Sequence, residues 1–193
     1  MKDALDQFIK NTNQMVIFVV LLLSFTTVVS ERERGLMTLV FPHALPRSTF
    51  ILAKFVALAL LVGAGILLEA LATYIYTALL FTAPDPADFA SMVILSYVYM
   101  VLLIGLAVLA STLGRTTIAA AGITFAFVVL VMLSGMFFRF APTKLGEWTA
   151  ALAAGAPASP RWDALIVTLL LTTGAVAVSC VVLDQQEISA AGG

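Results

Sequence analysis

Long apolar runs separated by short polar clusters set the pattern of this chain. A helix rising 1.5 Å per residue needs about 20 mostly apolar residues to cross ~30 Å of hydrocarbon. Five stretches approach or exceed that length, over about residues 15–30, 50–81, 89–113, 116–138 and 165–183. The first is short on its own and reaches full length when Asn11 to Gln14 are counted at the interface. The second is broken only by Lys54 near its start and Glu69 inside it. Each is expected to be helical, because an open strand edge in lipid leaves backbone groups unpaired at several kcal/mol each. The pattern predicts an all-α integral membrane protein: a five-helix transmembrane bundle over residues 15–183, preceded by a segment 1–14 and followed by a tail 184–193.

The breaks are equally clear. Ser30 to Arg47 collects four alternating charges, two prolines and His43, and is too polar for hydrocarbon. Pro84-Asp85-Pro86 with Asp88 predicts a short turn, and Gly114-Arg115 a shorter one. Residues 139–163 form the longest polar connection, in which Thr149 to Ala156 fits an interfacial helix or a plain loop equally well. Before the first run, Met1, Ala4, Leu5, Phe8 and Ile9 recur at helical spacing opposite Lys2, Asp3, Asp6 and Lys10, the pattern of an amphipathic helix at a membrane surface. Two acids in that stretch, and no cleavage-like site, argue against a signal peptide.

Composition narrows the chemistry. Hydrophobic residues make up 62% of the chain and charged ones 11%, far from the roughly 25% charge of a soluble domain. A net charge of −1 offers no basic field to hold nucleic acid. One cysteine, Cys180, and one histidine, His43, exclude an internal disulfide, cysteine-based zinc clusters and paired-histidine metal motifs. No Ser/His/Asp or Cys/His arrangement can be assembled, so the chain is not expected to be an enzyme. Lysines and arginines divide evenly: Arg32, Arg34, Arg47, Lys54 and Arg115 on one side, Lys2, Lys10, Arg139, Lys144 and Arg161 on the other. Concentration of the first set in one hairpin, and the lack of any cation in the Asp85/Asp88 turn, tip the Ser30–Lys54 side toward the cytoplasm.

The most informative stretch follows the first run directly: Ser30-Glu31-Arg32-Glu33-Arg34-Gly35-Leu36-Met37-Thr38-Leu39-Val40-Phe41. Glu31 and Arg34 are i,i+3 partners in a helical turn, and Gly35 lets the chain bend off the membrane normal. Leu36, Leu39 and Val40 then share one face of a short helix over residues 35–41, ended by Pro42. That apolar face wants the membrane surface, the protein's own helices or another protein's groove.

With Arg47 and the Ile51-Leu52-Ala53-Lys54 opening of the second run, this segment resembles the permeases of ABC-2 type transporters. Their pattern is roughly S-E-R-E-x-G-x-L-x-x-L-L, then P-x-x-R, then L-x-x-K. Arg47 and Lys54 keep the family's distances from Gly35, whereas the family proline falls at Ala44, flanked here by Pro42 and Pro46. The resemblance implies the membrane subunit of an ATP-driven exporter in the plasma membrane, paired with a second permease subunit. Its cytoplasmic coupling helix would dock on a separate ATP-binding subunit, with Glu31, Arg32, Glu33, Arg34, Gly35, Leu36, Leu39, Val40 and Arg47 forming the joint. ATP and magnesium would belong to that partner, and no cofactor is expected in this chain, which lacks G-x-x-x-x-G-K-[S/T]. Members of the family usually have six spans; the five found here imply either a start shortened by one span or a Met1 to Lys10 helix that replaces part of the missing one. A different class of reading treats the chain as a non-transporting membrane anchor or regulatory protein, with the hairpin only a docking surface.

Glu69 is the one ionisable residue well inside a run. It lies 15 residues, about 22 Å, beyond Lys54 on a helix axis. Burying a carboxylate at mid-membrane costs roughly 2.5–3.5 kcal/mol on insertion scales. The residue is therefore either a polar group on a translocation path or a structural carboxyl bonded to Thr73, Thr124, Ser134 or Arg139. Trp148, Trp162, Tyr74 and Tyr76 are expected near the interfaces.

Overall fold

A computed structural model of the protein describes residues 5, 7–12, 47–81, 83–156 and 159–191. The described residues contain no strand. Five helices follow in order: α1 (Arg47–Leu80), α2 (Pro86–Leu113), α3 (Thr117–Phe137), α4 (Lys144–Ala153) and α5 (Trp162–Ala191). Residues 7–12 are helical as well. Four of these helices, α1, α2, α3 and α5, are long and apolar enough to cross a membrane. The expected span over 15–30 and the coupling helix over 35–41 lie outside the described residues.

The helix starts follow local chemistry. Asp85, expected to sit in a turn, caps α2: its carboxylate accepts from the backbone N–H of Ala87 at 2.9 Å and of Asp88 at 3.1 Å. Pro86 takes the first helical position, where its missing N–H costs nothing. Thr116 caps α3 through its hydroxyl, which accepts from Ala119 N–H at 3.2 Å. Gly114 is required between them, because a Cβ there would come within 2.8 Å of the Ala120 backbone. In the long connection a helix does form, but over Lys144–Ala153 rather than Thr149 to Ala156. It stops where Gly155 adopts φ 61°, a left-handed conformation that glycine takes without a Cβ clash.

α2 is the axis of the bundle, packing against α1, α3, α4 and α5. Its buried residues cover most of the helix circumference in the second half, from Met100 through Thr112. α1 instead buries one stripe, Ile51, Ala59, Ile66, Ala70 and Thr77, whose spacings are sums of the three- and four-residue steps of a helix. Close approach of α2 and α5 is permitted by Gly105, whose missing side chain leaves Thr172 3.6 Å from the Cβ position. The hydroxyls buried along α5 make no demand on α2. Thr168, Thr172 and Ser179 donate to the carbonyls of Ala164, Thr168 and Ala175, four residues back in their own helix, at 2.7–2.8 Å.

One end of the bundle holds α4 and the connection from α1 to α2. At that end Trp148 and Trp162 meet edge to face with centroids 5.5 Å apart, and Glu147 accepts from Lys144 and lies 3.9 Å from Arg161. Paired tryptophans beside a charged cluster are the composition of a membrane–water interface. Arg47, the Gly114 turn and the end of α5 define the opposite end.

Candidate functional site

The described N-terminal residues turn their apolar face toward the helices of the bundle. Leu5, Phe8 and Ile9 are buried against Ala70, Phe89, Met92 and Ala153. Phe8 stacks at 6.0 Å on Phe89, which in turn sits 5.4 Å from Tyr74 of α1. Four residues later the Thr12 hydroxyl donates to Glu69 Oε2 at 3.2 Å. Tyr74 and Glu69 are five residues apart on α1, about 7.5 Å, so residues 8–12 run antiparallel to α1 and point into the bundle. The apolar stripe seen in the sequence is real, but it faces protein.

Glu69 therefore has a partner that sequence reasoning missed. Of three residues expected to bond it, Thr124 and Ser134 direct their hydroxyls to Ala120 and Val131 carbonyls in their own helix, and Arg139 is exposed; the fourth, Thr73, lies four residues on from Glu69 in α1. The signal for Thr12 was present: it stands at i+7 from Leu5, completing the stripe of Leu5, Phe8 and Ile9 on the face that meets α1. A hydroxyl suits this position chemically, since it donates to a carboxylate and accepts from a carboxylic acid, and so pairs with Glu69 in either protonation state. Glu69 itself is half-buried, beside Ala70 of the buried stripe and flanked by exposed Leu67, Leu68 and Leu71.

The remaining predicted site residues fall elsewhere. Glu31, Arg32, Glu33, Arg34, Gly35, Leu36, Leu39 and Val40 lie outside the described residues, as does His43. Arg47 opens α1, which continues without interruption past Lys54 and Glu69 to Leu80. Thr12 contacts α1 22 residues, about 33 Å, from Arg47. The two described residues that flank positions 13–46 thus sit far apart along the bundle, Arg47 at its other end. Among the described residues no group of three His, Cys, Asp or Glu side chains could hold a metal ion.

A second feature had no counterpart in the sequence reading. A cleft of about 320 Å³ opens between α2 and α3 beneath α4. Leu95, Tyr99 and Leu103 of α2, four residues apart on one face, form one wall, and Val128 and Met132 of α3 the other. At its top stand Leu145 and Thr143, whose hydroxyl packs against Gly135. That hydroxyl is buried and has no hydrogen-bond partner among the described residues. Thr143 can reach this place because residue 135 is glycine; a Cβ there would collide with Thr143 Oγ1.

Comparison with known proteins adds one relationship. No curated protein and no solved structure matches the chain. Over residues 3–189 it matches a family described as a protein of unknown function, DUF2705, and this membrane-helix chain therefore belongs to the DUF2705 family.

Proposed function

We propose that the chain is the permease subunit of an ATP-driven ABC-type transporter of the plasma membrane, an exporter that works as a pair of permease subunits with separate ATP-binding subunits. The observation that carries this reading is the charged hairpin sequence from Ser30 to Arg47 running directly into α1, a single helix of 34 residues. A coupling helix over residues 35–41, held by Glu31 to Gly35, would receive the closing motion of a nucleotide-driven partner. α1 would carry it about 33 Å, from Arg47 to Glu69, as a rigid body. At that depth Glu69 gives a path through the bundle a polar, proton-binding contact. ATP and magnesium are bound by the partner, and this chain supplies the lever and the spans.

The reading is tested by purifying the tagged chain from its native membrane. An ATPase bearing a Walker motif is expected to co-purify, and replacement of Glu31 by Lys or Gly35 by Val to uncouple its ATP turnover from the permease. Co-purification without any effect of these two replacements supports the anchor reading instead.

A further inference from the structure

We propose that Tyr97 of α2 is a positioning residue that keeps α1 straight across its two glycines, Gly63 and Gly65. A helix that transmits motion must be stiff along its length, and glycine, with the freest backbone of any residue, is the poorest helix former after proline. Both glycines lie between Arg47 and Glu69, the stretch over which the lever acts. A glycine pair is also where an unsupported helix kinks.

Tyr97 closes on this point from the neighbouring helix. Its hydroxyl donates to the Ala59 carbonyl oxygen at 3.1 Å, the carbonyl that an α-helix pairs with the N–H of Gly63. Its ring lies over Gly63: a Cβ there would stand 3.1 Å from Cε2 and 3.4 Å from both Cζ and the hydroxyl oxygen, closer than side chains ordinarily approach. Gly63 is small so that the ring can reach the turn it grips. Gly65 has no such reason, since a Cβ on it would meet nothing within 4 Å among the described residues; it is the soft position that the clamp braces. In hydrocarbon no water competes for the Ala59 carbonyl or replaces a backbone bond opened by bending. Toward its two ends α1 is held by separate clusters, Ile51 with Leu183 and Ala70 with Phe8. Tyr97 belongs to the cluster between them, with Val62 and Ile66. The use of this clamp to stiffen a lever rests on the permease reading; the clamp itself does not.

The test places spin labels at Leu52 and Leu71, both exposed and about 28 Å apart on a straight helix, in the full Cys180→Ala chain in nanodiscs. Tyr97→Phe keeps the ring and removes the donor, and should widen the measured distance distribution about twofold. Adding Gly65→Ala should restore the parent width, as should 4-aminophenylalanine at position 97, which keeps a donor. A role in folding alone lowers the melting temperature of Tyr97→Phe and leaves the width unchanged; that result overturns the proposal, and so does a widening that Gly65→Ala fails to reverse. Should Tyr97→Phe not fold, Gly65→Ala alone decides: the clamp predicts an unchanged width, and a narrower one means that α1 bends at its glycines with Tyr97 in place, which overturns it. With the co-purified ATPase, Tyr97→Phe should lower permease-dependent ATP turnover about threefold. A widened distribution with unaltered turnover upholds the clamp and counts against the lever.

Discussion

α1 and α2 are nearly equal in mean hydropathy over their most apolar windows, 2.5 and 2.6, yet 56% of that window is buried in α2 and only 17% in α1. In water such sequences would both be core. In lipid the apolar side chain gains nothing by turning inward, so hydropathy no longer separates inside from outside. What separates these helices is where small and hydroxyl-bearing residues fall. α2 places Gly105, Ala107, Ala110, Ser111 and Thr112 among its larger residues and is packed on several sides. α1 confines its contacts to one stripe and turns Leu60, Leu61, Leu67, Leu68 and Leu71 outward. Glu69 sits at the edge of that stripe, where a single turn of the N-terminal segment is enough to pair it.

Truncations should expose this contrast most strongly. Leu102, fully buried in α2, loses van der Waals contacts that lipid cannot replace when cut to Ala; its unfolding free energy in mixed micelles is expected to fall by about 2–4 kcal/mol. The same truncation at Leu60 of α1, which is 66% exposed, should cost less than about 0.5 kcal/mol. Equal losses at both sites would end the distinction between an axial and a peripheral helix. Next in size, Gly114→Ala drives a methyl into the Ala120 backbone and should cost about 1–3 kcal/mol, with faster amide exchange at the start of α3.

Smaller again is Thr12→Val, which removes the donor to Glu69 at a cost of about 1 kcal/mol. Here the sharper readout is proteolysis, which should release residues 5–12 more readily, whereas Glu69→Gln keeps an acceptor for Thr12 and should leave the segment protected. Identical cleavage rates in both variants would mean that the hydroxyl–carboxyl pair does not hold the segment. Least affected is Glu147→Gln: the carboxylate is more than half exposed, and loss of its contacts to Lys144 and Arg161 should change stability by less than about 0.5 kcal/mol.

The sequence made the described spans legible because lipid imposes a minimum apolar length, and the helix ends differ from expectation by at most three residues at α1, α2 and α3. Boundaries shifted where capping chemistry outweighed hydropathy, as when Asp85 and Pro86 started α2 before its first apolar residue. α5 ran well beyond Leu183, because nothing in Asp184-Gln185-Gln186-Glu187 stops a helix once lipid no longer sets its length. The partner of Glu69 was not found, since the contact joins residues 57 apart and depends on which way an amphipathic stripe faces. Leu5, Phe8 and Ile9 fit lipid and protein equally well by pattern. The cleft was invisible for a related reason: its walls use the same leucine, valine and methionine found on every lipid-facing surface, and only the position of Thr143 over Gly135 distinguishes it.

Sidedness tests the transport account most directly. In a Cys180→Ala background, single cysteines at Asp88 and at Thr38 are challenged in intact cells with a membrane-impermeant maleimide. Asp88→Cys, at the α4 end of the bundle, is expected to label from outside, and Thr38→Cys only after permeabilisation, with protection when the ATP-binding partner is bound. Labelling of Thr38→Cys in intact cells would put the charged hairpin outside, beyond reach of any cytoplasmic ATPase, and contradict the account.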